Sequence, residues 1–362
     1  MPSPRTKLVV LLALSVALPG MTQSALATTI GVVAPRSGPY ALLGQQVFDG
    51  ARAAAEANGD TLVEVDETCD EAGGKTAAQA LVDGRAEIAI GFLCVETLTT
   101  AMPDLAAQAI PALSISVRSP ILMEDALRND WPFFRMAPAE AAEAEQVAAA
   151  IAARWKADPI ALVDDGTIYG RELVNAVRQK LAPIGITPVF TDTLRPGQEQ
   201  QIALVKRLQK AGATHVLIGA DRNDVAVIMR DAAAEAIPLV ALAGDVMRGP
   251  NRPVALRDGT LAVTLPTYQS LPEAAEASEA LRQRGSEPEG NTLPAYAAAQ
   301  IAHQAAAQAG SGRQIRDILL ETHFQTVIGD IGFQSNHELA DNPYRLLEWR
   351  GTDFTVPSAE TE

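Results

Sequence analysis

Residues 30–65 read IGVVAPRSGPYALLGQQVFDGARAAAEANGDTLVEV, and the architecture of the chain can be predicted outward from them. The apolar run Ile30–Val33 comes first, an amphipathic segment follows from Gly44 to Asn58, and a second apolar run, Leu62–Val65, ends the stretch. A short strand, a helix and another short strand predict a β-α-β unit, in which the two strands pair in parallel. The stretch therefore predicts a parallel sheet covered by helices.

The same alternation of apolar runs and amphipathic segments continues to about residue 265. Further strands are predicted at Glu87–Ile90, Ala112–Ile115, Ile160–Val163, Val189–Thr191, His215–Ile218, Leu239–Leu242 and Leu261–Leu265. Helices are predicted between them, for example at Ala139–Trp155, Gly170–Leu181, Gln198–Ala211 and Arg222–Ala234. This spacing predicts an α/β fold of parallel sheets with helices on both faces.

The length of the chain and the grouping of its strands predict two lobes. At 362 residues the chain exceeds what one hydrophobic core usually carries, and its strands form one set before about residue 137 and another after it. Passages between the lobes are predicted at 133–138, 264–268 and 327–330, which makes a three-strand hinge. The predicted bounds are 28–137 and 268–328 for lobe 1, and 138–267 and 329–358 for lobe 2.

Residues 1–27 have the pattern of a secretory signal peptide. Arg5 and Lys7 precede the apolar run Leu8–Leu18, and Ala25-Leu26-Ala27 forms an A-x-A cleavage site. The run is 11 residues long, which is shorter than the roughly 20 residues that a helix needs to cross a bilayer. We therefore expect an exported protein that is soluble after cleavage.

The chain has two cysteines, Cys69 and Cys94. In an exported protein such a pair favours a disulfide, whereas in the cytosol it would more often be two reduced thiols. The bond would stabilise the fold by roughly 3.5 kcal/mol on the chain-entropy model. Two buried free thiols remain the alternative.

Composition and motifs argue against nucleic-acid binding and catalysis. The net charge of −15 at pH 7 is unfavourable for contact with nucleic acid or anionic lipid. The four histidines lie in unrelated segments without H-E-x-x-H spacing, no G-x-S-x-G is present, and no G-x-G-x-x-G follows the first strand. We interpret the histidines as surface or edge residues, and we predict no catalytic residue, no metal site and no cofactor.

Short motifs along nearly the whole chain match one family in its own order. They are Ile30-Gly31-Val32-Val33-Ala34-Pro35, Ser37-Gly38-Pro39-Tyr40, Asp66-Glu67-Thr68-Cys69-Asp70, Gly91-Phe92-Leu93-Cys94, Ala243-Gly244-Asp245 and Tyr296-Ala297-Ala298. On these residues the chain resembles the periplasmic leucine/isoleucine/valine-binding proteins that feed ABC transporters, which have a type I periplasmic binding fold and paired cysteines. The resemblance implies a periplasmic monomer that closes its two lobes around a small molecule and works with separate membrane permease and ATPase subunits.

The resemblance also implies contact residues in the first lobe. Leu93 and Cys94 match backbone or wall contacts, and Val95 stands where the family often has a hydroxyl group. The loop Ser116-Val117-Arg118 matches the family stretch that holds the ligand carboxylate through a backbone N–H group and a hydroxyl group. Ser116 could instead satisfy only its own loop backbone.

Three residues of the second lobe are implied in the same way. Tyr169 matches the aromatic residue that closes over the ligand, and Asp245 matches the acid that takes the α-ammonium group. Asp221 stands near a position where aromatic side chains would be expected, which predicts a more polar mouth. In the alternative interpretation, Asp245 caps a turn and Tyr169 packs under the neighbouring helix.

Two departures from the family pattern bear on the ligand. Arg118 stands where a small hydroxyl residue is usual, and Val95 removes a second hydroxyl group. A guanidinium group can replace two neutral donors by one charge-assisted, bidentate grip on a carboxylate. The pocket is therefore expected to suit a polar or acidic small molecule rather than leucine, unless Arg118 points away from the cleft.

Three classes of function remain open on the sequence. The first, which we favour, is the solute-binding subunit of an ABC importer that captures an amino acid or a related carboxylate or amide. The second is a periplasmic sensory module that passes ligand occupancy to a receptor, and the third is an exported α/β enzyme. In the first two, contacts with both lobes make the closed state the better binder, so closure reports occupancy.

Overall fold

The computed structural model describes residues 27–309 and 312–357. Its first half alternates strands and helices, as the sequence predicts. These elements are β1 (Thr29–Ala34), α1 (Ala41–Asn58), β2 (Thr61–Asp66), α2 (Glu71–Asp83), β3 (Ile88–Gly91), α3 (Val95–Ala107), β4 (Ala112–Ser114), α4 (Pro120–Arg128) and β5 (Phe133–Arg135). The five strands form one parallel sheet in the order β2-β1-β3-β4-β5.

A second sheet is built from the middle and the end of the chain. Its elements are α5 (Ala142–Arg154), β6 (Ile160–Asp164), α6 (Ile168–Leu181), β7 (Phe190–Thr193), α7 (Ile202–Lys210), β8 (His215–Gly219), α8 (Arg222–Ala234), β9 (Val240–Ala243), β10 (Leu261–Thr264), β13 (Arg345–Arg350) and β14 (Asp353–Thr355). The strand order is β14-β13-β10-β9-β8-β6-β7. Strands β6 to β10 pair in parallel, whereas β13 pairs antiparallel with both β10 and β14. The α/β prediction is confirmed, and the antiparallel edge is an addition to it.

Between β10 and β13 the chain returns to the first lobe. This part contains α9 (Ala275–Gln283), α10 (Thr292–Ala309), α11 (Ile315–Glu321), β11 (Phe324–Thr326) and β12 (Gly329–Ile331). Helix α10 packs closely on α1, because Gly50 presents no side chain there. A Cβ atom on Gly50 would lie 2.0 Å from the carbonyl oxygen of Thr292.

The apolar runs of the first sheet are uninterrupted because both of its faces are buried. Ile30 packs with α1 and α10 on one face, while Val33 packs with α2 and α3 on the other. Successive strand residues point to opposite faces, so a strand covered on both sides needs apolar residues at every position. A corresponding pair of cores lies on the two faces of the second sheet.

One of the predicted passages between the lobes is wrong in position. The first passage follows β5, so it falls within the predicted residues 133–138. Residues 327–328 form the turn of the β11–β12 hairpin, and the chain after it stays on the first lobe. The third passage lies between Leu339, which packs against the first core, and Tyr344, which is buried in the second.

Residues 329–339 therefore belong with the first lobe rather than with the second. The Arg135 side chain is 3% exposed and forms an ion pair with Glu338. Beside it, the ring of His337 stacks on Phe134, with 4.5 Å between ring centroids, and its Nδ1 lies 2.9 Å from the carbonyl oxygen of Phe133. His337 is thus buried, which corrects its interpretation as a surface or edge residue. Three-residue strands and an ion pair of distant partners leave no periodic signal, so the sequence could not place this segment.

The predicted signal peptide, residues 1–27, lies outside the described residues apart from Ala27. Strand β1 begins two residues later, at Thr29. Within residues 27–309 and 312–357, no helix has both the length and the apolar character needed to cross a membrane.

Candidate functional site

The candidate site lies at the carboxyl ends of the parallel strands, where open α/β sheets bind their ligands. In the first lobe, the loops that follow the strands enclose a cavity of about 490 Å³, which we call the first-lobe cavity. Its lining residues are Tyr40, Cys69, Leu93, Cys94, Val95, Glu96, Ser116, Val117, Arg118 and Ser119. All six residues that the sequence proposes for the first lobe are among them.

The loop after β3 is held from behind by two cross-links. The predicted disulfide between Cys69 and Cys94 is present, with 5.2 Å between the two Cα atoms. The carboxylate of Glu67 accepts hydrogen bonds from Leu93 N at 2.8 Å and from Cys94 N at 3.0 Å. Both of these N–H groups are therefore occupied, so Leu93 and Cys94 can contribute to a ligand site as wall rather than as N–H donors.

Glu67 is unusual in its burial, since only 2% of the residue is exposed. Burial raises the pKa of its carboxyl group to about 7, although the two backbone hydrogen bonds act in the opposite direction. The negative charges of Asp66 and Glu96 raise the pKa further. Glu67 lies close to both cysteine sulfur atoms, but these form the disulfide, so the three residues do not make a metal site.

Ser114, at the end of β4, ties two loops of the cavity together. Its hydroxyl group donates to Phe92 O at 3.0 Å and accepts from Val117 N at 3.0 Å and from Ser116 N at 3.3 Å. Val117 is buried in the core, whereas the side chain of Ser116 remains half-buried at the cavity wall. The loop that carries Arg118 is thus fixed at its base.

Helix α3 begins at this cavity without a side-chain cap. Its N-cap residue is Cys94, and no side chain accepts a hydrogen bond from the first turn. The N–H groups at the start of a helix have no partner within the helix, and the helix dipole favours an anion there. Val95 and Glu96, the first two residues of α3, both line the cavity, so this end can meet a negatively charged group.

The second-lobe cavity, of about 720 Å³, opens beside α5 and α6. It is lined by Arg118, Glu140, Ala141, Glu143, Ala144, Tyr169, Glu172, Leu173, Asn175, Ala176, Gln179, Asp245, Val246 and Tyr344. Arg118 is common to both cavities, so its side chain faces the cleft and not the outer surface. The Arg118 guanidinium also lies near the buried Tyr344 hydroxyl group, whose pKa burial raises to about 12.

Glu143 is the centre of the polar contacts in the second-lobe cavity. Its Oε1 atom accepts from the Tyr169 hydroxyl group at 2.6 Å and from Asp245 N at 2.8 Å. Burial raises the pKa of Glu143, and the nearby charge of Asp245 adds to that, while the charge of Arg118 lowers it. Burial also raises the pKa of Tyr169, so its hydroxyl group stays a donor.

Asp245 serves the backbone as well as the cavity. Its Oδ1 atom accepts from Leu265 N at 3.0 Å, just after β10, where the chain leaves the second lobe. Its Oδ2 atom has no hydrogen-bond partner among the described residues. One oxygen therefore holds the turn, as in the capping interpretation, whereas contact of the other with a ligand ammonium group stays a prediction.

Asp221 does not join the other predicted residues. It is the N-cap of α8, where its Oδ1 atom accepts from Asp224 N at 2.9 Å, and it lines neither the first-lobe nor the second-lobe cavity. The carboxylate satisfies a free N–H group of the helix start, which is the usual role of aspartate at that position. We therefore remove Asp221 from the candidate site.

Four residues of the site were missed by sequence reasoning: Glu67, Ser114, Glu143 and Tyr344. Glu67 lies in the motif that contains Cys69, and Ser114 lies at the end of a predicted strand, so position offered a weak signal for both. Glu143 is in the first turn of a helix and Tyr344 follows the third passage, and neither position has a periodic signature. Tertiary contacts alone bring these two residues to the cleft.

The chain matches the model of the periplasmic binding protein family over residues 27–353. It belongs to this family. Leu/Ile/Val-binding protein homolog 2 of Brucella abortus (strain 2308) is 27% identical over 336 residues, which cover 89% of this chain and 90% of the relative. Homolog 1 of Brucella melitensis is 27% identical over 340 residues, with 90% and 91% covered. Membership confirms the prediction of a binding protein rather than an enzyme.

Solved structures of periplasmic binding proteins share the fold. A Rhodospirillum rubrum protein assigned to branched-chain amino acid ABC transport superposes with a TM-score of 0.78 at 20% identity, covering 92% of this chain and 100% of that one. An ABC transporter substrate-binding protein from Desulfitobacterium hafniense in complex with Leu has a TM-score of 0.62 at 20% identity, covering 91% and 99%. The predicted type I periplasmic binding fold is confirmed.

Proposed function

We propose that this chain is the solute-binding component of an ABC importer, exported to the periplasm by residues 1–27, and that it captures a zwitterionic amino acid or a close analogue. One observation carries the proposal. Arg118 lines both cavities, and it shares the second-lobe cavity with the acidic residues Glu143 and Asp245. A carboxylate suits Arg118, and an ammonium group suits the two acids.

The carboxylate end of such a ligand would meet three kinds of donor in the first lobe. Arg118 offers a planar pair of N–H groups, Ser116 offers a hydroxyl group, and the uncapped start of α3 offers backbone N–H groups. Because Glu67 already accepts from Leu93 N and Cys94 N, we place the ligand carboxylate at the N–H groups of the first turn of α3, which begins at Val95. Arg118 thus supplies the charge that the hydroxyl groups usual in the family would not.

The ammonium end would lie between Asp245 Oδ2 and the Glu143 carboxylate. A positive charge there would favour the ionised form of Glu143, whose pKa is raised by burial and by the charge of Asp245. Beside these acids, Ala144, Leu173 and Ala176 offer an apolar wall for the ligand side chain. Charge at both ends and an apolar wall between them match an α-amino acid.

Closure of the lobes would follow from this division of contacts. A ligand held by Arg118 on one side and by Asp245 on the other binds the closed state better than the open state, and that difference drives closure. The three passages between the lobes, which follow Arg135, Thr264 and Leu339, would act as the hinge. We propose that a monomer in the closed state is what the membrane permease and its ATPase recognise.

The similar proteins support a carboxylate ligand of this size. The relatives bear the name Leu/Ile/Val-binding protein homolog, and solved structures of the same fold contain Leu or p-hydroxybenzoic acid. All of these ligands have a carboxylate, whereas p-hydroxybenzoic acid has no ammonium group. The acidic pair Glu143 and Asp245 favours the amino acids over the aromatic acid.

A matched set of compounds tests the proposal by calorimetry and thermal unfolding. L-leucine has both charged groups, 3-methylbutylamine lacks its carboxylate, and 4-methylpentanoate lacks its ammonium group; L-glutamate, L-glutamine and 4-hydroxybenzoate complete the set. We expect at least one amino acid to stabilise the fold by about 2.7 kcal/mol at 100 times its Kd, and the two truncated compounds to bind far more weakly. Binding of 4-methylpentanoate or 4-hydroxybenzoate as tight as that of every amino acid would contradict the proposal.

Two variants test which residue binds the carboxylate group of the ligand and which binds its ammonium group. Arg118→Ser should weaken binding of the amino acid about tenfold or more by removing a charge-assisted contact, and Asp245→Ala should do the same at the ammonium end. Arg128→Ser is the matched control, because Arg128 is an exposed arginine of the first lobe that pairs with Asp125 and lines neither cavity. Equal affinity in Arg118→Ser and Arg128→Ser would exclude Arg118 from the site.

A further inference from the structure

The two segments behind the first-lobe cavity have an unfavourable backbone conformation. Cys69 has φ 58° and Phe92 has φ 54°, both in the left-handed region that residues with a Cβ atom rarely adopt. Such residues persist where the surrounding contacts over-determine them, and they often lie at binding sites. The conformations of Cys69 and Phe92 therefore depend on the contacts that hold these two residues.

Three side-chain contacts hold the two segments in place, in addition to the hydrogen bond from Phe92 N to Val33 O at 2.8 Å. The disulfide joins Cys69 to Cys94, and Ser114 Oγ binds Phe92 O at 3.0 Å. The third contact is the Glu67 carboxylate, whose two oxygens bind different N–H groups: Oε2 accepts from Leu93 N and Oε1 accepts from Cys94 N. Glu67 therefore connects the end of β2 to the loop that leads into α3.

We propose that Glu67 is a positioning residue for the ligand loop 92–95, and that protonation of its carboxyl group loosens this loop and weakens ligand binding. The inference rests on the proposed function, because it concerns the same first-lobe cavity. Glu67 lies behind the loop and does not line the cavity, so it acts through Leu93, Cys94 and the start of α3.

The ionised form of Glu67 is the form that both hydrogen bonds require. An ionised carboxylate accepts at both oxygens, whereas a protonated one has an O–H group that donates. Protonation therefore weakens one of the two hydrogen bonds, that from Leu93 N or that from Cys94 N, because a hydroxyl oxygen is a poorer acceptor than a carboxylate oxygen. One of the contacts that keep the segment of Phe92 in the left-handed conformation is then weaker.

The surroundings of Glu67 put this change in the neutral pH range. Burial raises the pKa of Glu67 to about 7, and the charges that act on it are those of Asp66, from β2, and Glu96, from α3. On the far side of the loop, Tyr40 and Arg118 are the other titratable or charged residues that line the cavity. The disulfide sulfur atoms do not titrate, so Glu67 is the group behind the loop that responds to pH.

Selective isotope labelling tests the hydrogen bond directly, without any ligand. The chain has two cysteines, so labelling with 15N-cysteine produces two amide resonances, one of which reports the N–H group that Glu67 accepts. The Cys94 resonance should titrate with a midpoint near pH 7. The Cys69 amide, which does not bond to the Glu67 carboxylate, serves as the internal reference.

The variant Glu67→Gln should abolish the titration of Cys94, because an amide group does not ionise. A Cys94 resonance that stays constant from pH 5.5 to 8.5 in the wild type would overturn the proposal, and so would the same titration in Glu67→Gln. The wild-type titration needs no variant, so it remains decisive if Glu67→Gln fails to fold.

The effect on binding is measured by calorimetry, with whichever of L-leucine, L-glutamate and L-glutamine binds the wild type most tightly as the probe. At pH 8 the wild type should bind about tenfold more tightly than Glu67→Gln, and at pH 5.5 the two should bind nearly equally, because Glu67 is then protonated. Groups such as Glu143 contribute equally to both proteins and cancel in the ratio. If the ratio of the Kd of Glu67→Gln to the Kd of the wild type is the same at pH 5.5 and at pH 8, Glu67 has only a structural role.

Asp231→Asn is the matched control for these measurements. Asp231 is also a buried acid that accepts from a backbone N–H group, that of Gln201 at 2.6 Å, but it lies in the second lobe and lines neither cavity. The ratio of the Kd of Asp231→Asn to the Kd of the wild type should therefore be the same at pH 5.5 and at pH 8. If L-leucine, L-glutamate and L-glutamine bind neither protein, the proposed ligand class fails, whereas the Cys94 titration still decides the role of Glu67.

Discussion

Replacement of Glu67 by Gln should change how the stability of this protein depends on pH. The folded carboxyl group has a pKa of about 7, whereas the ordinary value is 4.5. Since the folded pKa is the higher one, the folded state binds the proton more tightly than the unfolded chain does, because neutralising the buried charge outweighs the weakened hydrogen bond to loop 92–95. The stabilisation is therefore fully present below about pH 4.5 and is lost as pH rises through 7. Glu67→Gln has no such group and should show no such loss.

The size of the effect follows from the pH range that the measurement covers. One pH unit of unequal proton binding corresponds to about 1.4 kcal/mol, and about 1.5 units of the window between pH 5.5 and 8 lie below the folded pKa. The free energy of unfolding of the wild type should therefore fall by about 2 kcal/mol relative to that of Glu67→Gln. Because Glu67 is only 2% exposed, solvent screening does not reduce this value much.

Urea unfolding followed by circular dichroism provides the assay, with both proteins measured at pH 5.5, 6.5, 7.5 and 8. All other ionisations, including that of Glu143, are common to the two proteins and cancel in the difference. The hydrogen bonds that Glu67→Gln loses change its free energy of unfolding by the same amount at every pH. The prediction is therefore tested by how the difference in the free energy of unfolding between the two proteins changes with pH. A difference that stays constant within about 0.5 kcal/mol over this range would refute the raised pKa and the argument from burial.

Three further predictions concern stability and the boundary of the site. Replacement of Cys69 and Cys94 together by Ser should lower the free energy of unfolding by roughly 3.5 kcal/mol, measured by urea unfolding against the oxidised wild type. Asp221→Ala should cost about 1 kcal/mol through the lost cap of α8 and leave calorimetric affinity for any ligand unchanged. Arg135→Ala should destabilise by about 3–5 kcal/mol in thermal unfolding, because it leaves the Glu338 carboxylate without its partner.

The alternation of strands and helices was predictable because it depends on local pattern. Helix α8 is observed at the predicted residues, Arg222–Ala234, since Asp221 caps one end and apolar residues repeat at helical spacing. Strands buried on both faces, such as Ile88–Gly91, read as continuous apolar runs. The sequence did not predict β5, β11 and β12, which have three residues each, whereas β4 is as short but lies in the longer apolar run Ala112–Ile115.

The part of the candidate site that follows the strands was predictable, but Glu143 in the first turn of α5 was not. Leu93 to Val95 and Ser116 to Arg118 follow strands, and in parallel sheets the ends of strands are where ligands bind. Glu143, in contrast, reaches the cleft only because α5 packs against α6 and brings its first turn beside Tyr169. Asp221 was predicted to lie in the cleft, but its carboxylate instead accepts a local hydrogen bond from Asp224 N at the start of α8.

The sequence by itself determined the α/β class and favoured, without deciding, a bond between the two cysteines, because each depends on composition or on contacts between neighbouring elements. Only the tertiary structure decided where the chain crosses for the third time, that Arg118 faces both cavities, and that Glu67 holds the ligand loop from behind. These depend on contacts such as those of Arg135 with Glu338, more than 200 positions away. A repeating pattern of apolar residues reports only contacts between residues near one another in the sequence, so a contact at this separation can be seen only in the three-dimensional structure.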